Sequence, residues 1–359
     1  MNQDQFFKGL KVIELASVLA GPAVGLFFAE LGAEVMKVEN RTTEGDVTRR
    51  WKVKGELAEA TYSAYYCSIN WNKQAYMLDL REATDRERVL DWMGEADVLI
   101  SNFKAGSAVK LGMDYESLKE RNPQLIYAQL TGFGEGEERP AFDIVLQAEA
   151  GFMYMTGERE GPPVRMPVAL IDILAAHQLK EGILLALLHR YQSGEGSYVS
   201  VSLLEAALAS LANQATNWLM AGHIPQRMGS LHPNIAPYGE VFYTLDDKPL
   251  VLAVGTEKQF VGLCKCLELE ELPADERFST NLARLQHRLA LQQYLKASIR
   301  KKSRAEWMSR FHSQKVPAGE IRDMREVFEQ EKAKAMILEE QMSDGRNSQR
   351  VRTVAFRVG

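Results

Sequence analysis

The stretch that decides the fold is residues 10–39, LKVIELASVLAGPAVGLFFAELGAEVMKVE. Leu10–Leu15 is a short β-rich run, and Ala20-Gly21-Pro22 interrupts it. Val24–Leu31 has helical spacing and stops at Gly32, the kind of residue that ends helices. Glu34–Glu39 reads as a second strand. Strand, short helix and strand within about 30 residues form a βαβ unit, which requires parallel strands joined by a right-handed crossover.

The alternation continues outward from there. Strands are predicted at Tyr76–Leu80, Asp97–Ile100 and Leu125–Leu130, with helices at Asp85–Met93 and Tyr115–Arg121. Residues 10–150 therefore predict an α/β fold built on an open, doubly wound, Rossmann-like sheet. Ligands of such sheets bind beyond the carboxyl ends of the strands, so the loops there are the places to search. Further on, 173–190 predicts a long apolar helix, Tyr198–Val201 a strand, and Leu203–Leu219 another apolar helix. Residues 222–239, rich in Gly, Pro, His and Asn, read as a linker or active-site loop. New strands at Val241–Thr244 and Leu250–Val254, followed by charged helices, predict a smaller α/β domain. The expected division is 1–222, completed by 321–359, against 223–320. Residues 351–357 alternate apolar and polar, as an edge strand does.

At 359 residues, 46% apolar and 25% charged, the chain has the composition of a globular protein with a sizeable core. A net charge of −5 with scattered basic residues argues against nucleic acid as a partner. The densest basic run, Arg300-Lys301-Lys302-Ser303-Arg304, reads as a solvated helix face. Three cysteines without framework spacing suit reduced thiols in a cytoplasmic protein. Cys264-Lys265-Cys266 has no second pair, and the six histidines lack ligand spacing, so no metal is expected. Residues 1–8 lack a secretion signal, and apolar stretches are too short for a membrane span.

The most informative residue is Asp172, set in the otherwise apolar run VALIDILAA at 168–176. Burying a carboxylate is costly without partners. Two readings stay open: a helix-capping aspartate, or a carboxylate held at a pocket mouth as nucleophile or proton carrier. The first βα turn, Leu19 to Gly25, lacks the G-x-G-x-x-G fingerprint and gives weak evidence for NAD. It reads either as a close backbone approach to a ligand or as a tight turn that packs the helix. Ser101 to Gly106 offers an amide, a stacking face and a cation, in Asn102, Phe103 and Lys104, with Lys110 a helical turn beyond. That set suits an adenine nucleotide, or an ordinary polar loop.

With these residues in view, the chain resembles the family III CoA-transferases, whose relatives include α-methylacyl-CoA racemase. The matching stretches are L-A-G-P at 19–22, L-G-A-E-V-M-K-V-E at 31–39, G-D-V-T-R at 45–49, and N-K with L-D-L within 72–80. D-V-L-I-S-N-F at 97–103, N-P-Q-L-I-Y at 122–127, T-G-F-G at 131–134 and D-I-V-L-Q at 143–147 follow. S-G-E-G at 193–196 and H-P-N-I-A-P-Y-G at 232–239 complete the series, in order along nearly the whole chain. The resemblance implies a two-domain α/β fold in an interlocked homodimer, with coenzyme A as substrate and no metal or redox cofactor. It implies a nucleophile at Asp172 and CoA contacts at Leu19, Ala20, Leu78, Asp79, Leu80, Arg81, Asn102, Phe103, Lys104 and Lys110. A basic family position falls on Asn40 here, with Arg41 adjacent as its substitute. Gly132, Phe133, Gly134, Phe142 and Asp143 are expected around the substrate, with the Gly132–Gly134 backbone as donors to an oxyanion.

Within this family the racemase branch carries a histidine before an Asp-Ile dipeptide, and here that position is Phe142. Racemisation beside a thioester needs one group to remove a proton and another to return it. Phenylalanine does neither, so the expected activity is transfer of CoA from an acyl-CoA to a carboxylic acid. The alternatives are an acyl-CoA racemase or epimerase, and a CoA-binding protein without catalysis. The chain has no Gly-Gly dipeptide, so no mobile glycine loop of the formyl-CoA enzyme kind is expected.

Overall fold

The structure is a computed structural model that describes residues 5–137 and 139–358. Tertiary contacts divide it into two units, one of 1–153, 165–225 and 335–359, the other of 154–164 and 226–334. Each is considered separately.

The first unit is built on β1 (Lys11–Glu14), α1 (Ala20–Glu30), β2 (Glu34–Asn40), α2 (Ala64–Ile69), β3 (Gln74–Leu78), α3 (Ala83–Gly94) and β4 (Val98–Ser101). It continues with α4 (Ala105–Leu111), α5 (Tyr115–Arg121), β5 (Ile126–Thr131), α6 (Asp143–Glu149), the single turn α7 (Phe152–Met155), α8 (Leu170–Ser193) and β6 (Ser197–Ser202). Then come α9 (Leu203–Ala209) and α10 (Ala212–Ala221). The six strands form one sheet in the order β3-β2-β1-β4-β5-β6, every neighbouring pair parallel.

Side chains that alternate along the strands feed two separate cores. Val12, Val35, Val98, Ile126 and Ala128 pack with Phe28 of α1 and with Ile171, Ala175, Leu179 and Ile183 of α8. Ile13, Met36, Leu99 and Tyr127 pack on the opposite face with Val89 and Met93 of α3 and Leu118 of α5. Helices on both faces make the sheet doubly wound. The order reverses between β1 and β4, so the crevice beyond their carboxyl ends is the topological switch point.

Several expectations are corrected. Ala20-Gly21-Pro22 is the first turn of α1 and not a break before it. Proline is tolerated there because its missing N–H would have had no partner within the helix. Gly21 and Gly25 serve packing: a Cβ at Gly21 would stand 2.2 Å from the Ala16 Cβ, and one at Gly25 would stand 2.0 Å from Glu14 Oε2. The helix expected over 203–219 is two helices, separated at Ser210–Leu211, with Ala212 at φ +49°. The tail at 351–357 forms no edge strand. Instead β10 (Ile337–Gln341) and β11 (Asn347–Val351) pair as an antiparallel hairpin, and the chain beyond runs irregularly.

The second unit carries an antiparallel sheet of β7 (Tyr238–Tyr243), β8 (Pro249–Ala253) and β9 (Ala318–Glu320). It is backed by α11 (Glu257–Leu267), α12 (Asn281–Gln286), α13 (Arg288–Ile299) and α14 (Arg304–Ser313) around Phe260, Phe278, Trp307 and Phe311. Short helices α15 (Met324–Phe328) and α16 (Glu331–Lys334) follow. Among the described residues no helix is long and apolar enough to cross a membrane, and no group of His, Cys, Asp or Glu is arranged to hold a metal ion.

Candidate active site

Asp172 is the third residue of α8, in its first turn. The N-cap residue, Ala169, has no side chain able to accept the turn's free N–H groups. Asp143 supplies that acceptor from the start of α6: its Oδ1 accepts from Ile171 N at 2.7 Å and more weakly from Asp172 N at 3.4 Å. Gln147, one turn further along α6, donates to Asp143 Oδ2 at 2.5 Å, and its Oε1 accepts from Met166 N at 2.9 Å. The capping function that the sequence offered to Asp172 is thus discharged by Asp143. The Asp172 carboxylate accepts no hydrogen bond and joins no ion pair among the described residues, although the residue is only 8% exposed.

Two opposing influences act on that carboxylate. A helix N-terminus favours the ionised form, whereas burial, and then the like charge of Asp143, favour the protonated one. Burial prevails, and the Asp172 acid is pushed up to about 7. Tyr65 of α2 lies in the same field: burial and the charges of Asp172, Asp143 and Asp46 push its hydroxyl up to about 12. Its ring packs edge-on against Trp51, with centroids 5.1 Å apart. Tyr65 was not among the residues singled out in the sequence; a tyrosine in a run of apolar and small residues gives no local signal.

Two cavities open beyond the carboxyl ends of the strands. One, of about 590 Å³, lies at the switch point. It gathers Leu78, Asp79, Leu80 and Arg81 from the end of β3, Asn102 and Phe103 from the end of β4, and Ser17 from the end of β1. Asn102 Nδ2 donates to Ser17 O at 3.3 Å, tying the two central loops together. Arg81 folds back on Asp79 with contacts of 3.0 and 2.8 Å and holds that carboxyl well below the usual range. A second cavity, of about 620 Å³, shares Asn102 and Phe103 and adds Lys104, Gly132, Gly134, Tyr115, Tyr127 and Tyr198.

Other expected residues stand outside both linings. Leu19 and Ala20 begin α1, with Ala20 in the core. Arg41 pairs with Asp85 at 3.1 Å, while Asn40 lines the first cavity. Lys110 is exposed in the last turn of α4. Phe133 lies under the Arg139 guanidinium at 3.7 Å. Phe142, expected near substrate, is the N-cap of α6 and is 55% exposed. Asp143 and Asp172 meet each other but line neither cavity.

Against this geometry, residues 7–359 match the family described as CoA-transferase family III. The chain belongs to CoA-transferase family III. It is 38% identical over 360 residues to the succinate–glutarate CoA-transferase of Agrobacterium fabrum, covering 98% of this chain and 89% of that protein. It is 35% identical over 325 residues to the acetyl-CoA:oxalate CoA-transferase of Acetobacter aceti, covering 89% of this chain and 82% of the other. The crystal structure of a CAIB/BAIF family protein from Brucella suis superposes with a TM-score of 0.87 at 38% identity, covering 99% and 93% of the two chains. The protein is accordingly an enzyme, a CoA-transferase, on the doubly wound fold expected from its sequence.

Proposed function

We propose that this CoA-transferase moves CoA from an acyl-CoA thioester to a carboxylic acid through a covalent intermediate on Asp172. The observation that carries the reading is the unclaimed Asp172 carboxylate, left free because Asp143 caps the helix in its place. The Asp172 oxygen attacks the thioester carbonyl, forming a mixed anhydride and releasing the CoA thiolate. The thiolate attacks the aspartyl carbonyl, giving an aspartyl-CoA thioester and the free donor acid. An acceptor carboxylate then attacks that thioester, and the released thiolate takes the acceptor acyl group from the second anhydride. Each covalent step replaces one difficult exchange by easier ones. No metal or redox cofactor is called for.

The acid that titrates near 7 has a mechanistic consequence. The ionised form is the nucleophile, so the reactive fraction of Asp172 rises with pH through about 7. The switch-point cavity supports a CoA site, with Phe103 offering a ring face and Arg81 a cation that must leave Asp79 to reach a phosphate. The succinate, glutarate and oxalate in the names of the relatives support short dicarboxylic acids as substrates. Phe142 carries no transferable proton, which weighs against racemisation.

The reading includes an interlocked homodimer in the cytoplasm. No residue of α10 is buried, and Trp218, Leu219 and Met220 are 53%, 78% and 83% exposed, an apolar surface suited to cover by a second copy. The three cysteines form no disulfide, in keeping with a reducing compartment. The test is trapping. Succinyl-CoA is incubated with the enzyme, borohydride is added, and peptides are mapped by mass spectrometry. Reduction of the aspartyl thioester to a homoserine side chain at position 172, with release of CoA, is expected; an unmodified Asp172 peptide under turnover conditions contradicts the proposal.

A further inference from the structure

The first βα turn holds a backbone conformation that its sequence does not favour. Val18 sits at φ +73°, a left-handed conformation that β-branched side chains strongly disfavour. Such outliers persist only where the surroundings over-determine them, and they cluster at functional sites. Here two consecutive peptide groups, 16–17 and 17–18, are gripped by three different side chains. Lys37 Nζ donates to Ala16 O at 2.8 Å, Asn102 Nδ2 to Ser17 O at 3.3 Å, and Val18 N donates to both oxygens of Asp46 at 3.2 and 3.4 Å.

The grip on Val18 is itself rigidly held. Asp46 is 4% exposed and accepts from Thr48 N at 3.0 Å and Thr48 Oγ1 at 2.8 Å. Lys37, 1% exposed, lies 3.2 Å from Asp46 and 2.8 Å from Glu14, and Lys73 reaches the other Glu14 oxygen at 2.8 Å. Two buried ammonium groups thus face two buried carboxylates. Burial opposes the charge on Lys37, but Glu14 and Asp46 outweigh it and keep the lysine charged. A neutral, fully bonded cluster of this kind gives little net stability over apolar packing, and its best-attested use is to fix one arrangement.

We propose that Asp46, anchored by Lys37, is a positioning residue for acyl-CoA: it locks Val18 in the left-handed turn and so fixes the course of Ala16 and Ser17 along the switch-point cavity. This rests on the reading that the switch-point cavity, which Ala16 and Ser17 line, takes the CoA thioester. Removing the Asp46 carboxylate lets Val18 relax to an ordinary φ, and the entry to α1 moves with it. Substrate binding is then weakened while the chemistry at Asp172 survives.

The experiment measures KM for succinyl-CoA, kcat and borohydride trapping at Asp172 in Asp46→Ala, Asp46→Asn and the double variant Asp46→Ala with Val18→Gly. In Asp46→Ala a rise in KM of about tenfold or more is expected, the factor that relaxation of such strain corresponds to, with kcat changed less. Asp46→Asn keeps an acceptor oxygen for Val18 N, so its KM stays within about threefold of wild type. Val18→Gly recovers most of the loss, because glycine adopts this φ unaided. A KM unchanged in Asp46→Ala, or a rise that Val18→Gly fails to reverse, overturns the proposal. Should Asp46→Ala not fold, amide exchange in the wild-type enzyme decides. The Val18 N–H is expected to exchange about a hundredfold or more slower than an exposed amide, and exchange at the exposed rate refutes the clamp. Absence of reduced Asp172 in wild type defeats the functional reading; normal reduction with unaltered KM in Asp46→Ala defeats only the clamp.

Discussion

Helices α1 and α8 both begin beside buried acids, and the two beginnings are handled in opposite ways. At α1, Glu14 and Asp46 are matched against Lys37 and Lys73 at 2.8–3.2 Å, and Asp46 also takes bonds from the backbone. At α8, Asp143 spends both oxygens on Ile171 and Gln147, and Asp172 keeps neither of its own engaged. Paired and bonded charge holds a shape. A carboxylate deprived of both water and partners is costly to maintain, and its retention is explained by work that a satisfied carboxylate does poorly. The contrast between a closed electrostatic cluster and an open one separates scaffold from chemistry in this unit.

The contrast can be broken at several points. Replacing Asp172 by Ala is expected to lower CoA transfer by at least roughly three orders of magnitude, the scale on which loss of a nucleophile acts, with the far-ultraviolet dichroism unchanged. Steady-state rates with succinyl-CoA measure it. Lys37→Met strands Glu14 and Asp46 without their shared cation. It is expected to cost about 3–5 kcal/mol of stability, read as a lower denaturant midpoint. A variant as stable as wild type would mean that the closed cluster is not closed.

A smaller effect has a definite sign. The Asp172 acid stands at about 7 when folded and near 4 when unfolded. The folded state therefore holds a proton that the unfolded chain has lost, and folding stability falls as pH rises between those values. Asp172→Asn removes this penalty. It is expected to raise stability by up to about 4 kcal/mol above pH 7 and to make no difference below about pH 4. Melting temperatures of the two proteins across that range test it, and an equal offset at all pH values would contradict the assigned cause. The smallest effect concerns Asp143→Asn, which keeps an oxygen for Ile171 N and removes the like charge beside Asp172. The pH midpoint of activity is expected to move down by about a unit or less. Asp143→Ala loses the cap as well and costs about 1 kcal/mol more.

Much of the scaffold was legible from the sequence because its signals are local. Buried strands separated by short helices, with Gly32 and Gly194 at helix ends, specify a doubly wound sheet without long-range information. Asp172 was legible as an acid in an apolar run. Its partner was not, because Asp143 stands 29 residues away and reaches α8 only after folding. The same distance hid the meaning of Lys37, a charged residue in the middle of a buried strand and a signal worth reading. The division of the expected helix at 210–212 has no glycine or proline to announce it. Phe142 was picked out by resemblance and Lys110 by its place one turn beyond the 101–106 loop; the fold leaves both side chains exposed on the single chain.

The most direct measurement follows oxygen. The enzyme is turned over with unlabelled succinyl-CoA and glutarate carrying oxygen-18 in its carboxylates, and the Asp172 peptide is weighed. Passage through an aspartyl anhydride hands one acceptor oxygen to the enzyme in each cycle, so the account predicts oxygen-18 in the Asp172 side chain. Labelled glutaryl-CoA formed in quantity beside an unlabelled Asp172 peptide would contradict it.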